Sequence, residues 1–283
     1  MTAVAGDFTS TPGTGAAIGD PLPLDRQLPA ADELIPEERR LPAADERYKD
    51  LKVLVAGATG GVGRAVVERL LAEGVPVRAL VRDGVKAAAR LPSSPLVEVV
   101  EGDVYQYQTV VRALHGCNAV ICATGPTNRL DPAGPFKVDY QGTSNLVAAA
   151  KQAGVRKFVH VTSIGTDDLL FPLNIYWGVL FWKKRGEEAL QRSGLDYTIV
   201  RPGGLLNEPR SGQRVGGVEM GGPDTYGLPP RKMPGSILRK QVQRVADCCV
   251  EALVEEAASG KVVEIVAKPE LPNRPYTELF SSV

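Results

Sequence analysis

The sequence predicts a doubly wound α/β fold, a parallel sheet covered by helices on both faces. Three observations predict it. From Lys52 onward, apolar runs alternate with amphipathic stretches in units of about 20–30 residues, the spacing of repeated strand–helix units. The runs are continuously apolar rather than alternating with polar residues, as strands buried on both faces require. The first run ends in a glycine-rich turn that opens directly into an amphipathic stretch.

Taken in order, "KVLVAG" from Lys52 is the first strand, followed by a helix with Val62, Ala65, Val66 and Leu70 on one face. "VPVRALVR" is the second strand and "VKAAARL" a short helix. "LVEVVEGD" and "QTVVRALHG" form the third strand and its helix, "NAVICATG" and "GTSNLVAAAKQAG" the fourth pair. "RKFVHVTS" is the fifth strand, "IYWGVLFWKKRGEEAL" (residues 175–190) the next helix, and "DYTIVRPG" the sixth strand. "QRVADCCVEALVEE" is a late helix and "KVVEIVA" a seventh strand. The expected strand order is 3-2-1-4-5-6-7. Between Gly203 and Gly235 the pattern lapses into a stretch with nine glycines, in which "RVGGVEM" is a possible hairpin arm. It follows the sixth strand at the sheet's C-terminal edge, where ligands bind in such folds, and is read as a small substrate-side lobe.

Residues 1–50 lack a hydrophobic period and repeat "LPAADE" at Leu28–Glu33 and Leu41–Glu46. They are read as an acidic tail preceding one domain over residues 51–283. Being acid-rich, this tail does not resemble an intact organelle transit peptide. It holds ten acidic and five basic side chains, which leaves 28 basic against 23 acidic in the remainder. That mild positive excess suits an anionic ligand, while a formal net charge of zero gives no sign of a nucleic-acid surface. The longest uncharged run, Leu169–Trp182, is interrupted by Pro172 and Asn174 and is shorter than the roughly 18 apolar residues of a spanning helix. Cys117, Cys122, Cys248 and Cys249 have no metal-binding spacing and read as buried free thiols. His115 and His160 are too few for a histidine-rich metal site, and His160, inside a strand, reads as structural.

The chemistry concentrates in "VLVAGATGGVGR". Gly57, Gly60 and Gly63 follow a strand and open a helix, the context of a dinucleotide-binding loop. Gly57 permits the turn, Gly60 lets backbone amides approach a pyrophosphate, and Gly63 lets the helix pack against the strand. With Thr59, Gly61, Val62 and Arg64, these residues are the expected phosphate cradle at a helix N-terminus. Where a site for NAD would end the second strand in an acid, this chain has Arg82, with Arg64 and Lys86 nearby. A guanidinium fork matches a 2′-phosphate, so NADP is expected over NAD. Asp83 is the complication, since it could accept from a ribose 2′-hydroxyl. Asp103 and Val104 after strand three are placed by the adenine, with the backbone and carboxylate of Asp103 reaching the amino group. Thr124 and Gly125 after strand four complete the groove.

From about Lys52 onward the chain resembles the atypical short-chain dehydrogenases with an NAD(P)-binding, NmrA-like Rossmann domain. Within that group it is similar to the plastid and cyanobacterial branch around the dehydrogenase-like Tic component. "GATGGVGR", "VRALVRD", "EGDV", "VDYQGTSNLVAAAKQAGVRKFVHVTSIG", "WKKRGEEALQRSGLDYTIVRPGG" and "KVVEIV" carry the resemblance. It implies a plastid stroma, or a cytosol of cyanobacterial type, as the compartment. It also implies catalytic roles for Ser163 and for Lys183, which would in addition hold the nicotinamide ribose. The main branch keeps a tyrosine four residues before that lysine, where this chain has Val179. Tyr176 is a poor substitute, since seven residues of helix rise about 10 Å. Tic-component members carry C-terminal repeats that bind a flavoprotein reductase. None is read before Val283, so that partnership is not expected.

Residues 175–190 thus read as a helix entering the active-site region, its aromatic part packed and Lys183 available to the cofactor, although a structural Lys183 stays open. Lys184 and Arg185 are expected on a solvated face, with Glu187 and Glu188 pairing locally along the helix. Two functions compete. One is NADPH-dependent hydride transfer to a small flavin-, quinone- or tetrapyrrole-like acceptor that needs no proton from the enzyme. The other is an NADP(H)-binding scaffold that meets a protein partner through residues 1–50 or the aromatic segment 171–182.

Overall fold

The computed structural model describes residues 46–128, 130–203, 205–206, 216–227, 237–238, 242–268 and 271–283. Residues 1–45 of the expected tail, and most of the expected lobe between 203 and 235, lie outside these residues. The chain runs β1 (Val53–Ala56), α1 (Gly61–Ala72), β2 (Val77–Val81), α2 (Gly84–Ala88), β3 (Val97–Glu101), α3 (Tyr107–Leu114) and β4 (Ala119–Cys122). A π-helical segment, Phe136–Gly142, leads into α4 (Thr143–Gln152) and β5 (Lys157–Val161). Then follow α5 (Val179–Gln191), β6 (Tyr197–Pro202), β7 (Leu205–Leu206), β8 (Gly217–Gly221), β9 (Ile237–Leu238), α6 (Val242–Glu251), β10 (Lys261–Lys268) and α7 (Tyr276–Ser281).

The main sheet has the order β3-β2-β1-β4-β5-β6-β10-β8. Its first seven strands pair in parallel, with Val53 opposite both Val77 and Ala119, and Val200 opposite Val161 and Val263. That is the expected order. The period-two geometry of the strands divides the core into two layers. Val53, Val55, Ala119, Ile121, Val159 and Val200 face one way, onto α1, α6 and α7. Leu54, Ala56, Val120, Cys122, Phe158 and Ile199 face the other way, onto α3, α4 and α5. Both layers are buried, which is why these strands read as largely apolar runs.

The differences lie at the margins. Of the "RVGGVEM" stretch, residues 216–220 are described, and 217–220 lie in β8. As β8 it pairs antiparallel with β10, Met220 opposite Ile265, and adds an eighth strand. The close approach there needs glycine: a Cβ on Gly217 would lie 2.0 Å from the Pro272 carbonyl oxygen. β3, at the opposite edge, is half exposed. Its Glu98 pairs with Lys52 at 3.0 Å and Arg78 at 2.8 Å, and such edge charges discourage pairing with another sheet. Tyr48, within the stretch read as tail, is buried in the first core layer. α7 is an unforeseen helix; Lys261 Nζ donates to the carbonyls of Phe280 (2.7 Å) and Val283 (2.6 Å) and so caps its end. All four cysteines are buried free thiols.

Candidate functional site

The turn after β1 has the geometry that its glycines foreshadow. Gly57 has φ of +81°, and a Cβ there would sit 2.5 Å from the Ala123 carbonyl oxygen. A Cβ on Gly63 would sit 2.1 Å from the Gly57 carbonyl oxygen, so only glycine lets α1 start against the turn. Gly60 is the N-cap of α1 and no side chain caps it. Arg64 N–H makes the first helical bond, to Gly60 O at 2.9 Å. The amides of Gly61, Val62 and Gly63 therefore have no acceptor within the helix. A Cβ on Gly61 would meet nothing within 4 Å, so the approach is open. Unpaired donors, the helix dipole and the lack of side chains make a donor set that fits a dinucleotide pyrophosphate.

Eight of the expected cofactor residues line one groove across the C-terminal ends of β1, β2 and β4: Gly57, Thr59, Gly60, Arg82, Asp103, Val104, Thr124 and Gly125. Val62 instead packs against the core behind the loop. Gly61 and Arg64 open onto a neighbouring depression beside Arg90. Arg82 reaches from the end of β2 toward the loop after β4, donating to Thr127 Oγ1 at 3.2 Å. Asp83 is engaged elsewhere. It caps α2 by accepting from Lys86 N–H (3.0 Å) and pairs with Lys86 Nζ (2.8 Å), contacts that hold its carboxyl below the usual range. Lys86 is thereby drawn to Asp83. Asp103 also bonds within its own loop. Its N–H donates to Thr109 Oγ1 (3.0 Å), Thr109 donates back to its carbonyl (2.8 Å), and Oδ1 accepts from Tyr105 N–H (2.9 Å). One carboxylate oxygen is left for a ligand.

Gly125 also lines a second, mainly apolar cleft of about 270 Å³, walled by Pro126, Pro135, Leu173, Tyr176, Trp177 and Val179, with Lys183 in its lining. Lys183 Nζ donates to Asp139 Oδ1 at 2.7 Å, and both side chains are largely buried, at 14% and 1% exposure. Burial pushes the Asp139 carboxyl up, against the pull of the Lys183 ammonium. Asp139 Oδ2 and Thr143 Oγ1 are buried without a hydrogen-bond partner. The π-helical segment that carries Asp139 is crossed closely by α5: a Cβ on Gly186 would lie 2.4 Å from the Asp139 carbonyl oxygen. The sequence reading missed Asp139. Its signal was its place at the head of the stripe Asp139, Gly142, Thr143, Leu146, Val147 and Ala150, all buried. Ser163 lines neither cleft, and its hydroxyl donates to Ile164 O at 3.1 Å.

Residues 175–190 differ most from expectation. The helix starts at Val179, after Trp177 and Gly178 with φ of +58° and +67°. The cap comes from farther back. Asn174 Oδ1 accepts from the amides of Leu180 (3.0 Å) and Phe181 (3.1 Å), while its Nδ2 donates to the carbonyls of Asp168 and Leu169. The aromatic part is therefore packed only at its later end: Trp182 meets Phe136 edge-on at 5.0 Å and stacks on Tyr140 at 5.8 Å, while Ile175, Tyr176 and Trp177 are exposed, beside the exposed Leu169, Leu170 and Leu173. Because Tyr176 precedes the helix, the helical-rise argument against it does not apply. It lines the same cleft as Lys183.

Glu187 does more than pair locally with Lys184, which lies 3.9 Å away along the helix. Glu187 is fully buried and accepts from Arg201 Nε (3.0 Å), Arg201 Nη2 (2.5 Å) and Thr162 Oγ1 (2.6 Å). Arg201 also pairs with Asp167 and lies 3.5 Å from Glu264 Oε1, while Lys184, far from being a solvated face residue, pairs with Asp167. Glu188 does pair along the helix, with Arg185 (2.7 Å) and Arg192 (3.1 Å). Burial raises the Asp167 carboxyl, but Lys184 and Arg201 outweigh it and hold the group below its usual range. A depressed carboxyl contributes stability that is fully present above its unfolded value of about 4 and is lost as pH falls through the folded value. Asp167→Asn is therefore expected to flatten the acid limb of stability, read as the urea midpoint between neutral pH and about pH 3. An unchanged acid limb would contradict this.

Among the described residues, no helix is long and apolar enough to cross a membrane, and no group of three or more His, Cys, Asp or Glu side chains is placed to hold a metal ion. Residues 57–256 match the NAD(P)H-binding family. An uncharacterized chloroplastic protein of Arabidopsis thaliana is 43% identical over 246 residues, covering 83% of each chain. The chloroplastic protein TIC 62 of the same plant is 35% identical over 251 residues, which are 82% of this chain but 38% of TIC 62. Sanguinarine reductase of Eschscholzia californica is 30% identical over 278 residues, 83% of this chain and 97% of the reductase. The structure of the anaerobillin reductase ChuY from Escherichia coli O157:H7 superimposes with a TM-score of 0.58 at 26% identity, covering 79% of this chain and 99% of ChuY. Loop geometry, strand order and these similarities agree, and the chain belongs to the NAD(P)H-binding family of NmrA-like Rossmann-fold proteins.

Proposed function

We infer that the protein is an NADP(H)-dependent oxidoreductase of atypical short-chain dehydrogenase type, acting on a small conjugated acceptor of flavin, quinone or tetrapyrrole kind. One observation carries this reading. Gly125 borders both the nucleotide groove and the apolar cleft with the buried Lys183–Asp139 pair, so cofactor and acceptor would meet at one wall. The reductases among its relatives support the same class of chemistry.

Each part has a physical task. The amides of Gly61, Val62 and Gly63 hold the pyrophosphate, and Arg82 takes the 2′-phosphate while Asp83 is occupied as a cap. Asp139 fixes the Lys183 ammonium at the cleft wall, where it can bind the nicotinamide ribose. The prolines, Leu173 and Val179 exclude water. When bound, the reduced nicotinamide supplies hydride. The chloroplastic relatives support a plastid compartment. Stopped-flow oxidation of NADPH against flavins, quinones and small carbonyls tests the reading: turnover with at least one acceptor is expected, and tight NADPH binding with none would refute it.

The exposed apolar run from Leu169 to Trp177 favours a second reading, an NADP(H)-binding scaffold whose partner covers that run. Its test is capture from plastid extract by the native chain and by a Leu170→Ser/Ile175→Ser variant. Identical partner sets would remove the segment from consideration, and chains with and without residues 1–45 test the tail in the same way.

A further inference from the structure

One stretch of chain separates the nucleotide groove from the apolar cleft. Along residues 125–128 the lining alternates between the two chambers, as side chains of an extended segment do. Gly125 borders both, Pro126 lines the cleft, Thr127 the groove, and Asn128 the cleft again. A restraint on Thr127 therefore reaches the acceptor side within one residue of backbone.

The cleft side of this wall is a bonded unit. Asn128 Oδ1 accepts from Leu130 N–H (3.0 Å) and Asn128 O from Asp131 N–H (3.4 Å). Asp131 Oδ1 accepts from Ala133 N–H (2.9 Å) and Asp131 O from Gly134 N–H (3.0 Å). Pro126 leans on the same unit, since a Cβ on Gly134 would lie 3.2 Å from Pro126 Cβ. The groove side has a single side-chain tie. Among the described residues, the Thr127 hydroxyl bonds Arg82 Nη2 alone, at 3.2 Å.

That tie is weak by itself. Arg82 is an exposed side chain, and ordering a long charged chain for one bond in water costs much of what the bond returns. A guanidinium carries five N–H groups, however, so the bond to Thr127 leaves donors for a phosphate.

We propose that Thr127 is a cofactor-sensing residue: Arg82, fixed on the 2′-phosphate of NADP(H), clamps Thr127 and so sets the wall of the acceptor cleft. This rests on the NADP(H) reading above and deepens it, from a preference in affinity to a preference in what the bound cofactor does. Once a phosphate orders the guanidinium, the Thr127 bond forms without that entropic cost, and the two contacts reinforce each other. A nucleotide lacking the 2′-phosphate leaves Arg82 unfixed and the wall unclamped. The acceptor cleft is then completed by NADPH and not by NADH.

The test is amide hydrogen exchange of the full chain, with saturating NADP⁺ and with saturating NAD⁺. Exchange between Asn128 and Gly134, on the cleft side, is expected to slow about fivefold or more with NADP⁺ and to change little with NAD⁺. Protection of the loop amides between Gly60 and Arg64 by both nucleotides reports that the groove is filled in each case. Thr127→Val removes the hydroxyl at similar size. It is expected to keep the calorimetric Kd for NADP⁺ within about threefold of native while losing the slowing, and Thr127→Ser should retain it. Equal slowing by both nucleotides, slowing that survives in Thr127→Val or is lost in Thr127→Ser, or no slowing in the native chain despite a protected loop would overturn the assignment. If neither nucleotide protects the loop, the nucleotide-site reading fails and the assignment with it.

Discussion

Arg201→Ala is expected to destabilise the fold by about 3–5 kcal/mol, the loss seen when one partner of a buried ion pair is removed. Arg201 is 1% exposed and its guanidinium serves Glu187, Asp167 and Glu264 at once. Without it, Glu187 keeps only hydroxyl contacts from Thr162 and Thr166 and the distant Lys184 at 3.9 Å. Against a typical total of about 5–15 kcal/mol, this threatens folding at physiological temperature. The reason is desolvation: the remaining carboxylates are already out of water and must either stay charged without a partner or take protons. A double change, Arg201→Met with Glu187→Met, is expected to cost less than the sum of the single changes, because it removes the orphaned charge together with its partner. Urea unfolding of the three variants measures this. A single-variant loss below about 1 kcal/mol would contradict the buried-network account.

Lys183→Ala is expected to lower turnover by about 10²-fold or more while the fold survives. Removing an ammonium from a buried carboxylate usually carries a large stability cost, yet Asp139 is already pushed up by burial and can take a proton in its place. The paired variant Lys183→Ala/Asp139→Asn should therefore melt within a few degrees of Lys183→Ala. Asp139→Asn alone retains the lysine charge but loosens its position, so a smaller loss is expected, on the order of tenfold. Steady-state NADPH oxidation and thermal melts check both. Native turnover in Lys183→Ala would make that lysine a structural residue.

The frame was legible because burial on both faces leaves a plain signature. β1, β4 and β5 carry apolar residues at odd and even positions alike, and a run such as "AVIC" admits few other readings. The nucleotide loop was equally plain, since Gly57 and Gly63 answer to backbone clashes that no other residue avoids. What stayed hidden depends on contacts distant in sequence. β8 pairs with β10 across more than forty residues, and nothing local in "RVGGVEM" names that partner. Glu187 has the spacing of a surface helix pair, but β6 brings Arg201 over it and turns it into a buried ligand. Asn174 caps α5 from six residues before Leu180, outside the reach of the usual cap pattern, so the helix start and the side on which Tyr176 falls were both misplaced. Asp139 was readable only as an acid heading a buried stripe, which amphipathic reading tends to treat as an exception.

Isothermal calorimetry with NADPH and NADH, on the native chain and on Arg82→Ala, tests the central claim most directly. The account predicts tighter binding of NADPH than of NADH by the native chain. Arg82→Ala should lose about 1.5–3 kcal/mol with NADPH, the worth of a hydrogen bond to a charged group, and little with NADH. Equal losses with both nucleotides would contradict the 2′-phosphate role of Arg82, and no heat with either would contradict the nucleotide site itself.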